Sequence, residues 1–450
     1  MKKEIHYDQT YLPVASWNSI RIVLALVAAF GWHSQQIDYM LAFPQAPVEK
    51  EIYMEVPKGF EIEEDCVLRL KRNVYGQKQT GRVWNKYLED KLVNKVRFIE
   101  SLVDKYVFYK GKTIYILYTD DSILAGPCME EINSIITQIQ KAGLEITREG
   151  DIQEFLGIKI KKSSGKMTLT QPYLITQILK DLHMDTDEVK VKKTPNRVSK
   201  ILTRGEDEKD FDRNFHYRSI IGKLNYLEKG LRSDISYMIH QCARFTESPN
   251  VSHAEAVRWL ARYLKGTCDK GFEMKPDLKK GIEVFVDADF SGNWNRKDSM
   301  HADSAQSRHG YIIKLFDCPI VWKSQLPHEV ALSSTESEYT GLSYALRETI
   351  PIMQLINEMQ ESRILKVENQ PKIFCDVYED SSGALEMARI HKYRPRTKHL
   401  NVKLHHFRQY VNNGSIKVCP IDTKDQQADY LTKPVSEDTL TTLRKRVMGW

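Results

Sequence analysis

The feature that most constrains this chain is a pair of adjacent carboxylates inside an apolar run. The stretch ILYTDDSILAG, Ile116–Gly126, sets Asp120 and Asp121 between two short segments of strand-forming residues. One reading is a hairpin turn with polar residues at its tip. Asp-Asp is a poor two-residue turn, because tight hairpins need positive φ and favour Asn-Gly or Asp-Gly. The other reading is a metal site. Two carboxylates at a strand-to-strand turn, joined by one from a neighbouring strand, can hold a pair of hard divalent ions. Asp38 supplies a third acid: it ends the strand-like SQQID among apolar neighbours, although it also suits a cap before a turn.

At 450 residues the chain is long enough for two or three domains with ordinary cores. Apolar residues make up 41% and charged residues 28%, which marks a globular chain rather than a disordered one. A net charge of +6 permits a nucleic-acid partner without requiring one. The seven cysteines are scattered and form no CxxC pair, which argues against a disulfide framework and a structural zinc site. A reducing intracellular compartment fits that usage. The N-terminal MKKEIHYDQTYLPVAS lacks the apolar core of a signal peptide. The best apolar run, Ile20–Trp32, is too short to span a bilayer and reads as a buried helix. No membrane partner is expected.

Periodicity divides the chain. SQQIDYMLAF reads as a strand, and EIYMEVPKGF begins as one. TGRVWNKYLEDKLVNKV is an amphipathic helix with Val83, Tyr87, Leu88 and Leu92 on one face, and MEEINSIITQIQKAG is another, ending on Gly143. EFLGIKIKKSSGKMTLTQ reads as a hairpin turning at Ser-Ser-Gly. A charged stretch from Lys190 to Arg213 reads as a linker, followed by three helices. In the last of them Arg258, Arg262 and Lys265 fall opposite Val257, Leu260, Ala261 and Leu264. That basic face could track phosphates or be an ordinary solvated face. After KPDLKKG the order becomes strand IEVFVDADF, a hairpin, a long helix from STESEY, strand PKIFCDVYED, helix, helix, strand SIKVCPID and a closing helix from QQADYLTKP. This predicts a mixed-sheet α/β domain.

That last region carries a second set of acids at element boundaries: Asp287, Glu338, Asp380 and Asp429. Each alone suits a helix cap or a solvated position. Four carboxylates converging on one sheet edge would instead hold two Mg²⁺ ions. Their repulsion before cations arrive makes such convergence a poor device for stability alone. Asp289 and Glu336 are nearby rivals for Asp287 and Glu338.

The blocks QIDYMLAFPQAPVEKEIYMEVPKGF, NVYGQKQTGRVWNKYL, LYTDDSILAG and EFLGIKI, in this order, resemble the reverse transcriptase of copia-type retrotransposons. VDADFSGNW, SRHGYIIKLFDCPIVWKSQ, ALSSTESEYTGLSYALRE, VYEDSSGALEMA, HKYRPRTKHLNVKLHHFRQYV and DQQADYLTKP resemble the ribonuclease H part of the same elements. The resemblance implies a polymerase palm with thumb and connection helices, α+β in class, followed by a ribonuclease H-like mixed-sheet domain. The boundaries expected are 1–165, 166–275 and 276–450. It implies that Asp38, Asp120 and Asp121 ligate metal for polymerisation and that Asp287, Glu338, Asp380 and Asp429 do so for ribonuclease cleavage. Two Mg²⁺ ions per site are expected, with Mn²⁺ as an alternative.

Phe43 matches the position whose ring lies under the sugar and excludes a 2′ hydroxyl; by itself it also suits a core aromatic. Gln79 lies in the block expected near template and nucleotide, and Tyr118 in the Tyr-x-Asp-Asp core is a further substrate contact. Thr119 departs from the commoner valine or methionine, and Ser381 from the asparagine often found after Asp380. Arg396, Lys398 and His399, in RPRTKH, are candidate phosphate contacts. His399, His405 and His406 could aid product release or simply form a polar helix face.

The partners implied are an RNA template, a DNA primer, deoxynucleoside triphosphates and the RNA–DNA hybrid, with a second copy or other polyprotein-derived subunits compatible. A cytoplasmic virus-like particle and the nucleus are the compartments the family implies. The family's reverse transcriptase normally starts earlier, so truncated fingers and weak polymerisation beside robust hybrid cleavage are expected. The rivals are a catalytically silent nucleic-acid-binding remnant and an interaction protein that reuses the fold.

Overall fold

The computed structural model describes residues 14–60, 66–197, 201–204, 211, 214–362, 364–365, 375–389 and 405–450. Contacts divide the chain into two compact units, Met1–Ile152 with Glu358–Lys366, and Gln153–Asn357 with Val367–Trp450. Among the described residues no helix is long and apolar enough to cross a membrane.

The first unit opens with α1 (Trp17–Phe30), capped by the Ser16 side chain at one end and by Gly31 in a left-handed conformation at the other. β1 (His33–Tyr39) follows, then α2 (Ala42–Gln45), the small ribbon β2 (Tyr53–Glu55) and β3 (Val67–Arg69), and α3 (Thr80–Asp90). The strand expected through DYMLAF therefore stops at Tyr39, where Leu41 takes positive φ and turns the chain into α2. Next come β4 (Ile99–Glu100), β5 (Val107–Lys110), β6 (Thr113–Tyr118), β7 (Asp121–Gly126), α4 (Met129–Lys141) and β8 (Ile146–Gly150). The six longer-range strands form one antiparallel sheet in the order β4-β5-β6-β7-β1-β8.

α3 and α4 supply Trp84, Leu88, Ile132, Ile135, Ile136 and Ile139 to a core with Tyr39, Tyr115, Leu117 and Leu124 of the sheet. Fully burying each such isoleucine contributes roughly 1.5–3 kcal/mol. The alternate residues Ile114, Ile116, Ile123 and Ala125 are equally buried, and α1 contacts β6 and β7. Strands covered on both faces explain the unbroken apolar runs around the acids.

In the second unit β9 (Glu154–Phe155), β10 (Ile158–Ser163) and β11 (Lys166–Thr170) precede the helices α5 (Pro172–Asp181), α6 (Tyr217–Gly230), α7 (Ser236–Ala243) and α8 (Val251–Gly266). β12 (Phe272–Met274) then returns to pair with β11. The boundary expected after residue 165 lies at the tip of the β10–β11 hairpin, where Gly165 has positive φ. The four helices share one apolar core. The stretch expected to be a free linker packs on α8 where it is described: Trp259 Nε1 donates to Thr194 O at 3.0 Å and Lys192 N to Arg262 O at 3.3 Å. Lys265 donates to Thr186 O and Val189 O, and Arg258 donates to Asn214 Oδ1.

β13 (Ile282–Asp289), a short helix α9 (Ala302–Ala305), β14 (Arg308–Leu315), β15 (Cys318–Gln325), the long α10 (Ser334–Glu361), β16 (Cys375–Glu379), α11 (Ser382–Arg389) and β17 (Ile416–Pro420) complete the fold. Their five-stranded sheet runs β15-β14-β13-β16-β17, with β13–β15 antiparallel and β13, β16 and β17 parallel. Three antiparallel strands followed by helix-linked parallel ones are the ribonuclease H-like arrangement expected from sequence. The closing helix is two pieces, Asp429–Thr432 and Glu437–Met448, split at Pro434, which cannot continue a hydrogen-bonded turn. Buried bonds tie this sheet to the helices. Trp322 Nε1 donates to Glu228 O at 3.0 Å, and Ser233 Oγ meets Tyr430 Oη at 2.9 Å.

Candidate active sites

The acid pair of the first unit lies at the β6–β7 hairpin. Tyr118 and Asp121 close it as a cross-strand pair, so the two turn residues are Thr119 and Asp120, not the two aspartates. Thr119 has a φ of 60°, an outlier for a β-branched residue that persists only where surroundings hold it. Trp84 Nε1, fully buried on α3, donates to Thr119 O at 3.0 Å, and Tyr39 N donates to Asp120 O at 3.3 Å. Two neighbouring elements therefore fix the turn that presents Asp120.

The β1–β7 register sets Asp38 directly opposite Asp121. Asp121 and Asp38 are shifted by their acidic neighbours. Burial, then Asp120, Asp38 and Glu149, push Asp121 up to about 6. Burial and Asp120 raise Asp38. Glu149 on β8 is an acidic neighbour that the sequence reading omitted.

Phe43 on α2 packs against Tyr75, with ring centroids 4.8 Å apart. Tyr75 is 54% exposed, and its hydroxyl is raised by partial burial and by the charges of Asp120 and Asp38. It is thus the ring of the VYGQKQTG block that faces the acids. Gln79, expected there, is buried at the start of α3, and its Oε1 has no hydrogen-bond partner. Tyr118 is half-buried at the end of β6.

The second set converges more tightly. Asp287 on β13, Glu338 in the second turn of α10 and Asp380 just past β16 each bring a carboxylate oxygen within 4.8 Å of the others. The parallel β13–β16 pairing brings the strand ends carrying Asp287 and Asp380 side by side. Asp429 begins its short helix beside them. Lys433, one turn on, reaches Asp429 Oδ1 at 3.1 Å and Asp287 Oδ2 at 3.6 Å, and Thr432 Oγ1 donates to Asp287. Burial opposes the Lys433 charge, but Asp287 and Asp429 hold the ammonium above its ordinary value.

Burial, Glu379, Asp287 and Asp380 push Glu338 up to about 10. Burial and Asp287 take Asp429 to about 6, and burial raises Asp287. The rival Asp289 is also raised to about 6, by burial and by Asp287; its oxygens lie over Gly292, where a Cβ would come within 1.5 Å. Glu336 is instead a local cap, accepting from Leu332 N at 2.9 Å.

Sequence reasoning missed Glu379. It is fully buried, accepts from Ser381 N at 3.1 Å through one oxygen, and has no partner on the other. The signal was present: alternation along β16 puts Glu379 on the buried face with Cys375 and Val377. Lys433 was missed as well. Arg396, Lys398 and His399 lie outside the described residues. His406 packs edge-on to Phe407 at 5.5 Å, and burial lowers its pKa.

Both acid sets are all-oxygen donors, the kind that suits Mg²⁺ or Mn²⁺ rather than zinc or copper. In the second set the Glu338 Oε2 is buried without a hydrogen-bond partner.

Residues 2–196 match the family model described as reverse transcriptase (RNA-dependent DNA polymerase). The whole chain is 31% identical to the retrovirus-related Pol polyprotein from transposon TNT 1-94 of Nicotiana tabacum, covering 33% of it. Over 98% of its length it is 30% identical to the corresponding polyprotein from transposon RE2 of Arabidopsis thaliana, covering 29% of that. The chain therefore spans about a third of the length of these relatives. Among solved structures, a foamy viral protease-reverse transcriptase in complex with double-stranded DNA is similar at 14% identity with a TM-score of 0.45, over 87% of this chain and 57% of that one.

Proposed function

The chain belongs to the reverse transcriptases of copia-like retrotransposon Pol polyproteins, and from that premise we propose that it performs RNA-directed DNA synthesis in its first unit and cleaves the RNA strand of RNA–DNA hybrids in its second. The observation that carries this reading is the approach of Asp287, Glu338 and Asp380 to within 4.8 Å of one another, with Asp429 alongside. Like charges so close, and so desolvated, oppose folding unless protons or cations are taken up.

Divalent Mg²⁺, when bound, lowers the pKa of water and stabilises charge developing on phosphate and on the leaving 3′ oxygen. The chain's residues prepare for that. Asp287, Glu338 and Asp380 offer their oxygens. Thr432 orients the Asp287 carboxylate through its donated hydrogen bond. Lys433 neutralises part of the charge of Asp287 and Asp429 and can turn toward a phosphate once they are otherwise engaged. Burial and the acids around it raise Glu338 to about 10, so a bound cation would compete with a proton for its oxygens.

In the first unit Asp38, Asp120 and Asp121 form the corresponding acid set for nucleotide addition. The Phe43–Tyr75 ring pair beside them suits the sugar of an incoming deoxynucleotide. The test uses the full chain with Mg²⁺ in paired assays. Asp120→Asn is expected to abolish primer extension and leave hybrid cleavage intact, and Glu338→Gln the reverse. Loss of both activities in either variant, or of neither, contradicts the assignment. Absence of both from the wild-type chain favours a silent nucleic-acid-binding remnant.

A further inference from the structure

The segment between β13 and β14, residues 290–307, begins one residue after Asp289 and three after Asp287. Its inward side is fastened throughout. Ser291 Oγ donates to Ala305 O at 2.9 Å, and Gln241 Nε2 donates to Asn293 Oδ1 at 2.6 Å. The buried Asp298 carboxylate accepts from Arg204 N at 3.0 Å, and Asp303 is held by Arg204 and Arg244. Its outward side is the opposite in character. Trp294 is 57% exposed and Met300 93%, with Arg296 and Lys297 exposed between them. Neither cation forms an ion pair among the described residues, whereas the acids of the loop are turned in, Asp298 onto the Arg204 amide and Asp303 onto the Arg204 and Arg244 side chains.

A large ring and two free cations held on a rigid frame next to an acid cluster need an explanation. Exposing Trp and Met gains nothing for folding, and the frame cancels the entropy cost that normally weakens loop contacts. We propose that the 290–307 loop is a docking surface for a nucleic-acid duplex, with Arg296 and Lys297 on backbone phosphates and Trp294 packed on a sugar, steering the strand into the carboxylates behind it. This rests on the ribonuclease reading above and adds the residues that hold its substrate. The charge favours a polyanion over a protein partner, and backbone contacts suit a hybrid read by shape and phosphate rather than by base edges.

The test is equilibrium binding of a fluorescent RNA–DNA hybrid to the full chain in EDTA, across a salt series, so that catalysis plays no part. R296A/K297A should weaken binding about tenfold near physiological salt and flatten the slope of log K against log salt by about 2. W294A should weaken it by roughly tenfold with the slope unchanged, and R296K/K297R should restore both. Protection of Lys297 from acetylation when hybrid is added to the wild-type chain reads the same contact without a substitution. Wild-type affinity and slope in both loss variants, with Lys297 unprotected, overturn the loop assignment alone. A W294A variant that binds hybrid normally but loses a dimer overturns it in favour of a second copy of the chain. A wild-type chain that does not bind hybrid overturns the ribonuclease reading and the loop with it.

Discussion

Glu338 and its neighbours form a charge trap that protons relieve at low pH, and their titration makes that measurable. Asp429 and Asp289 ordinarily ionise near 3.8, and here near 6; Glu338 shifts from 4.5 to about 10. The folded chain thus keeps protons that the unfolded chain has released. The stability these groups contribute is complete below about pH 4 and is lost as pH rises through their folded values. Melting of the metal-free chain should therefore fall between pH 5 and pH 8, by roughly 2–4 °C beyond its baseline drift. Mg²⁺ should restore more stability at pH 8 than at pH 5, because protons compete for the same oxygens. Asp429→Asn should flatten the metal-free dependence; a Mg²⁺ shift independent of pH would contradict the coupling. The acids themselves were legible in the sequence, since polar residues at strand ends and helix starts stand out against apolar runs. Glu379 was hidden beside Asp380 and needed the β16 alternation to expose it. Tyr75 was hidden because nothing local tells which ring or amide of VYGQKQTG faces the acids.

Among the elements, the β6–β7 hairpin shows where local rules give way. Asp-Asp reads poorly as a turn, and the structure avoids it by making Thr119 the strained residue and setting Asp121 in the strand. Thr119→Gly should raise stability by about 1 kcal/mol in denaturant melts, since glycine takes positive φ without the side-chain clash. A loss of stability would mean that the threonine conformation is not strained. Helices α3, α4 and α6–α8 were legible from their periodicity. The use of the α8 basic face stayed open in the sequence, because the segments that bond to it lie far from it along the chain. Only the tertiary bonds of Thr194 and Thr186 reveal that.

For the whole molecule, the helices α5–α8 and the ribonuclease-like sheet fall within one compact unit. A buried polar network joins these helices to the closing helix, Glu437–Met448. Arg232, fully buried, pairs with Asp234 at 2.7 Å; Tyr263 Oη also donates to Asp234, and Arg444 donates to Tyr263 at 2.9 Å. The Trp450 ring lies against both Arg232 and Arg444. These partners come from three distant parts of the chain, so no local pattern announces them. Arg232→Ala should destabilise the second unit by about 3–5 kcal/mol, as loss of one member of a buried pair does, and hybrid cleavage should fail at the temperature where that unit melts. Unchanged melting would show that the network does not hold α8 to the closing helix.

The central claim is that separated carboxylates gather into a metal-dependent nuclease site, and its most direct test is cleavage of an RNA–DNA hybrid by the full chain in Mg²⁺, with and without Asp287→Asn. The wild-type chain should cut the RNA strand, EDTA should stop it, and the variant should be slower by at least about a hundredfold while melting no lower. Equal cleavage by chain and variant, or a folded wild-type chain that leaves the hybrid whole, would contradict it.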